Sequence, residues 1–224
     1  MSTKTNPITA DDIIKKFELQ VDDITDLSED EELGLLNDKL QDVYNDRPWI
    51  CLRKPATGAL AYDTVKGLWY APQPADFKSF AINNLSTDNS VGVRNNAMPM
   101  VVFVGSARAP WQLVNYADRE QYRNRAGYAY LDPIEQKVYM TYAPSDTGSY
   151  LFDYIHIPAD LEEVTDEPTL IPVPFRKMLS FAMAADNDII QRSSIANSQQ
   201  AQNQAKYEDV LGDMQLWDAD QYLN

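Results

Sequence analysis

Apolar residues change their spacing twice along this chain, and those two changes set what it can fold into. Leu33, Leu36, Leu40, Val43 and Tyr44 follow the three-and-four recurrence of one helical stripe. From Trp49 to Ile157 the apolar residues come instead in short runs bounded by Pro, Gly, Asn and Asp, the signature of strands. After Pro174 the helical spacing returns, with Phe175, Met178, Leu179, Ala182 and Ile189 as the expected buried stripe. The pattern predicts an α+β fold: a helical bundle built from N- and C-terminal helices, with a large, mostly antiparallel β domain inserted between them. The expected divisions are 1–48 (N-terminal helices), 49–158 (β domain) and 159–224 (C-terminal helices packing with the N-terminal ones, the tail reaching a partner).

Two helix starts are written in the first fifty residues. Thr9 with Asp12 three residues on forms a capping box, flanked by Ile8 and Ile13 as a hydrophobic staple. Ser28 with Glu31 repeats the device, and Glu29 and Asp30 occupy the first turn, where the helix dipole favours negative charge. The step Asp46-Arg47-Pro48 ends this helix, because the residue before proline is pushed out of the α region.

Eight strand runs are expected: Trp49–Leu52, Gly67–Tyr70, Phe80–Leu85, Met100–Val104, Trp111–Asn115, Tyr128–Leu131, Lys137–Tyr142 and Tyr150–Ile157. Asp132-Pro133-Ile134-Glu135 and Pro144–Gly148 read as the turns joining the last three. In the final run Tyr150, Phe152, Tyr154 and His156 share one face. The other face is also largely apolar, so cover on both sides is expected.

Composition narrows the chemistry. Thirty-four acidic side chains against nineteen basic ones leave the 224 residues at −15, which argues against nucleic-acid binding as a primary role, since that needs clustered cations. The charge is uneven: −8 over 1–50, +4 over 51–130 and −11 over 131–224. No run approaches the roughly 20 apolar residues of a membrane span. The polar N-terminus lacks the apolar centre of a secretory signal, and the single cysteine cannot form an internal disulfide. Synthesis and folding in a reducing cytosol are therefore expected. No Gly-rich phosphate loop is present. His156 and Cys51 could act as a base and nucleophile only if the fold joined them; the plainer reading is a strand residue and a small core hydrophobe. No catalytic, cofactor-binding or metal-ligating set is assigned, and paired carboxylates acting as a hydrolase are a weaker alternative.

Two segments are candidates for contact with partners. Ala107–Arg125 interleaves Arg108, Arg119, Arg123 and Arg125 with Trp111, Tyr116 and Tyr122. Arginine with aromatics fits a nucleic-acid groove but also a protein interface or an internal ion-pair network, and the acidic whole favours these two. The C-terminal stretch has Tyr207, Val210, Leu211, Met214 and Trp217 at helical spacing after an Asn197–Gln204 half with almost no apolar stripe. The expected interface residues are Tyr207, Leu211, Met214, Trp217, Tyr222, Leu223, Arg119 and Arg123. If the tail serves a partner, removing 205–224 should leave the monomer's stability nearly unchanged.

The order of parts resembles the head-to-tail adaptor (neck or connector) proteins of tailed bacteriophages, in particular the tail-tubular-like adaptors of short-tailed phages. The resemblance rests on Arg47-Pro48-Trp49 after an amphipathic helix, Tyr128-Ala129-Tyr130, and the run from Phe152 through Ile157-Pro158 to Leu161. It continues through Ile171-Pro172-Val173-Pro174-Phe175, the Ala-rich Phe181–Ala185 and the polar Ala205-Lys206-Tyr207-Glu208. It implies a structural virion protein with no enzymatic activity and no cofactor. Such a protein forms a ring, a dodecamer in this family, between the portal protein and a tail or nozzle protein. It lines the channel through which genomic DNA passes without tight binding, and it works in the virion neck with no membrane. A β region of roughly a hundred residues is where this chain departs from the family. Another neck, baseplate or capsid-associated assembly role is the alternative.

Overall fold

The computed structural model describes residues 8–21, 27–81, 100–104, 107–142, 148–186 and 197–221. The fold is α+β, with helices at both ends of the chain and a mixed, mostly antiparallel sheet between them. Two compact units form: Met1–Cys51 together with Pro158–Asn224, and Leu52–Ile157.

The helical unit begins with α1 (Ala10–Glu18) and α2 (Glu29–Asp46). Both start with the capping boxes expected, the side chains of Thr9 and Ser28 accepting from the amides of Asp12 and Glu31. Two further amides of the first turn of α1 find partners far along the chain: Ala10 N donates to Asp166 O and Asp11 N to Val164 O, each at 2.8 Å. The acidic link after the β unit therefore completes the first helix. α2 ends where expected, Arg47 turning extended before Pro48. Trp49, buried completely, then closes against the helix that precedes it, its indole N–H donating to Val43 O at 2.6 Å.

A helix starting at Pro174 was expected; Val173–Phe175 is instead a single 3₁₀ turn, and α3 is the seven-residue Met178–Ala184. Every residue of α3 except Phe181 is buried, and α1, α2 and the last helix all pack on it. Ile189, expected on its stripe, lies outside the described residues. That last helix, α4 (Asn197–Gln221), corrects the expectation that the tail is dispensable. Val210 is buried and Met214 fully so, and Asp218 accepts from the Ile50 amide at 2.7 Å. What the polar first half of α4 puts inside is Asn203, at 0% exposure with both amide atoms unpaired.

In the β unit, Ile50–Leu52, expected within a strand, is a 3₁₀ turn, and the chain extends one step later. Nine strands follow among the described residues: β1 (Arg53–Ala59), β2 (Ala61–Asp63), β3 (Leu68–Pro72), β4 (Phe77–Phe80), β5 (Met100–Val104), β6 (Ala107–Val114), β7 (Tyr128–Asp132), β8 (Lys137–Met140) and β9 (Gly148–His156). β1 and β2 lack a strong apolar run and were not expected. Residues 82–85 of the expected Phe80–Leu85 run fall outside the described residues.

The strand order is β1-β9-β5-β6-β7-β8-β3-β2, with β4 also on β9; the β6–β7 pairing alone among the described pairs is parallel. Ala56 of β1, Ala71 of β3, Phe80 of β4, Trp111 of β6, Met140 of β8 and Phe152 of β9 belong to one buried cluster. Strands distant in the sheet order can share a core only if the sheet curls over itself. Gly58 faces Tyr150 across β1 and β9, and a Cβ there would sit 3.0 Å from the phenol oxygen, so the ring lies over bare backbone. The inward face of β9 is as expected (Tyr150, Phe152, Tyr154 and His156, all buried), but the other face is covered only in part: Ile155 is buried, whereas Asp153 and Ile157 are exposed.

Candidate functional site

Successive residues of a strand point to opposite faces, so while Ala129, Val138 and Met140 enter the core, Tyr130 and Tyr139 stand on the outer face. There Tyr70, Tyr139 and Tyr130 line up in register across β3, β8 and β7, the last two rings stacked with centroids 5.7 Å apart. Buried hydroxyls need partners. Tyr139 Oη donates to Asp63 Oδ2 at 2.7 Å and also contacts Glu135 Oε2. Lys66 lies 4.2 Å above the centre of the Tyr139 ring and bridges Asp132 at 2.9 Å and Glu135 at 2.7 Å. Burial alone would lower the Lys66 pKa; the hydrogen bonds to Glu135 and Asp132 outweigh it and hold the ammonium above the ordinary lysine range. The Lys66 and Tyr139 bonds in turn keep Glu135 below the ordinary carboxylate range. Asp132 Oδ1 accepts from the amides of Ile134 and Glu135, which shapes the β7–β8 turn. Lys137, 3.2 Å from Glu135 and 3.8 Å from Asp63, adds a second cation, so the cluster sets two ammoniums against three carboxylates.

Beside this layer the 3₁₀ segment Tyr116–Tyr122 packs on β7. Arg119 is folded back on its own turn: its guanidinium lies 4.0 Å from the centre of the Tyr116 ring and donates to Tyr116 O at 2.8 Å. Tyr116 leans on Tyr130. Glu120 is 3.9 Å from Arg119 and 3.6 Å from Arg123, whose side chain is 72% exposed. The result is a groove of about 520 Å³ lined by Val65, Leu68, Tyr116, Arg119, Arg123 and Tyr130 among others. Val65 stands at its edge 94% exposed. Two arginines share a single carboxylate there, so the groove keeps a positive surplus. The sequence pointed to Arg119 and Arg123 but not to Val65 and Lys66, whose only signal is the turn Asp63–Gly67, nor to Leu68, which it marked only as part of the strand run Gly67–Tyr70.

The C-terminal interface residues divide. Met214 is fully buried inside its own unit, so it is not a surface anchor: its stripe position faces the interior, not solvent. Trp217 is half-buried against Phe175, ring centres 6.0 Å apart. Tyr207 and Leu211 are half-buried, Tyr207 on the same stripe of α4 as Asn203, Val210 and Met214, and Tyr222 and Leu223 lie outside the described residues. Burial raises the Tyr207 pKa, with Asp42, Asp46 and Glu208 adding negative charge around it. Asp42 and Tyr207 share a smaller pocket of about 290 Å³ with Lys39, Asp186 and Gln204. Lys39 there pairs with Asp186 at 2.6 Å.

The remaining chemical candidates are held in structural roles. His156 is buried, and since the Leu52 carbonyl 2.7 Å from Nδ1 can only accept, that nitrogen carries a proton. Burial, then the Asp218 charge, pushes the Cys51 thiol up to about 11, the reverse of an activated nucleophile. Among the described residues no group of three or more His, Cys, Asp or Glu is placed to hold a metal ion, and no described helix is long and apolar enough to cross a membrane.

Glu32, not singled out from sequence, is the one strongly displaced carboxyl among the described residues. It is 6% exposed in the first turn of α2, and burial, then Glu18 and Glu29, raises it from 4.5 to about 7. Because the folded form holds this proton more tightly, stability should fall as pH rises from 4.5 to 7 and level off above. The full loss is on the order of 2–3 kcal/mol. Glu32→Gln should remove this slope and be the more stable protein at pH 8, which urea titrations at several pH values will measure. Parallel pH profiles for the two proteins would contradict it.

No protein-family model matches this chain, and no curated protein shows significant similarity to it.

Proposed function

We propose that this protein is a structural virion component, a head-to-tail adaptor that forms a ring between the portal and the tail and lets DNA pass through. The observation that carries this reading is the division of charge between the two units. Leu52–Ile157 holds ten bases and nine acids, a net +1, whereas the helical unit holds nine bases and twenty-five acids, a net −16. A strongly acidic surface repels phosphate, so duplex that enters a channel lined by it slides and does not stick. The near-neutral β unit, with its small basic groove, is left for protein contact. The order of parts along the chain, helices from both ends enclosing an inserted β unit, also supports the adaptor reading.

The test is light scattering coupled to size exclusion, on the chain alone and mixed with a portal ring, followed by a duplex-retention assay at physiological salt. The expected result is a ring or a portal-bound species that does not retain duplex. A chain that stays solitary beside a portal, or rings that hold duplex firmly, would end the adaptor reading.

A further inference from the structure

Resting on that reading, we propose how one copy recognises the next: the groove at Arg119 and Arg123 on the β unit of one copy takes the carboxylate-framed face around Tyr207 on the helical unit of a second copy. The two surfaces are complementary in charge and in character. The groove offers two guanidiniums against one carboxylate, with Val65 as an exposed apolar edge and Tyr116 and Tyr130 as aromatic walls. The face around Tyr207 offers Asp42 and Glu208, both exposed, and the half-buried Leu211 lies one turn further along α4. Asp42 is 68% exposed, and its ion-pair partner Lys39 stands 3.8 Å away while pairing at 2.6 Å with Asp186. Its charge is thus largely unspent. Glu208 meets only the neutral amide of Gln204 among the described contacts.

A free carboxylate can reach a guanidinium in a bidentate pair, the strongest polar contact available to either group. Nucleic acid is the poorer occupant, because Glu120 stands in the groove and the helical unit of the same chain carries −16. The two patches differ from each other, so their pairing is heterologous. Repeated from copy to copy it closes into a ring when the rotation per copy divides a full turn.

The test measures self-association of the full chain by sedimentation, at low and physiological salt. Arg119→Glu with Arg123→Glu should raise the dissociation constant about tenfold or more, and so should Asp42→Lys with Glu208→Lys. All four changes in one chain should restore association to within about threefold of the unchanged protein, since the charges are then exchanged across the contact. Arg119 also braces Tyr116, so Arg123→Glu alone serves if the double change unfolds the groove. Variants that associate like the unchanged chain overturn this pairing and leave the adaptor reading standing. An unchanged chain that stays monomeric at every concentration and salt also overturns it, while portal capture judges the adaptor separately. Loss of duplex binding in the arginine variants, with self-association intact, assigns the groove to nucleic acid and overturns the proposal.

Discussion

Arg176→Leu should cost the helical unit about 3–5 kcal/mol, the range for removing one partner of a buried charged network. Arg176 is 4% exposed. Its Nε donates to Ile171 O at 2.9 Å, and Nη1 donates to Ile8 O at 3.0 Å and to Glu167 Oε2 at 3.1 Å. One guanidinium thus joins the segment before α1 to the segment before α3. Leucine fills much of the volume but leaves two carbonyls and a carboxylate without their donor. Because domains typically hold only 5–15 kcal/mol in total, the helical unit should unfold well before the β unit. Urea unfolding followed at 222 nm should show this as a separate early transition. Arg176→Lys should recover less than half of the loss, because a single ammonium cannot span three acceptors in the guanidinium's planar fork. A leucine variant with an unchanged midpoint would contradict the assignment.

Truncation before Ala205 should abolish cooperative folding of the helical unit. α4 contributes Val210 and Met214 to the interior and, through Asp218, the acceptor for the Ile50 amide. Losing it strips one side of α3, a helix too short and too apolar to stand in water. The milder Met214→Ala should cost about 2–4 kcal/mol as a cavity change. Far-UV circular dichroism and proteolysis should show residues 8–46 unprotected in the truncated chain. A sharp transition at the full-length midpoint would show instead that α4 is an appendage.

How far the sequence could be read depended on whether the signal was local. Capping boxes at Thr9 and Ser28 and the stop at Pro48 are decided within four residues, and the helices obey them. The stripe Tyr207–Trp217 has the same spacing whether it faces its own core or a stranger, so Met214 was assigned outward when it points in. Glu32 shows the opposite failure: counting back four from Leu36 places it on the buried stripe, but a carboxylate in a first turn looks like ordinary dipole compensation. β1 was missed because Arg53–Ala59 has little apolar content; seven backbone pairings to β9 make it a strand. Of the groove, Arg119 and Arg123 were legible by composition. Val65 and Leu68 join them only because β3 pairs with β8, some seventy residues on, and β8 with its neighbour β7.

The helical unit is assembled from the two ends of the chain, with the amides of Ala10 and Asp11 waiting for carbonyls at Asp166 and Val164. A ribosome adding about 5–20 residues per second needs on the order of ten seconds or more to deliver α4 after α2 has emerged. For most of that interval α1 and α2 have no α3 to cover them, while the β unit already has all its described strands by His156. The nascent chain therefore matures from its middle outward, and its first fifty residues are the ones most in need of a chaperone's hold.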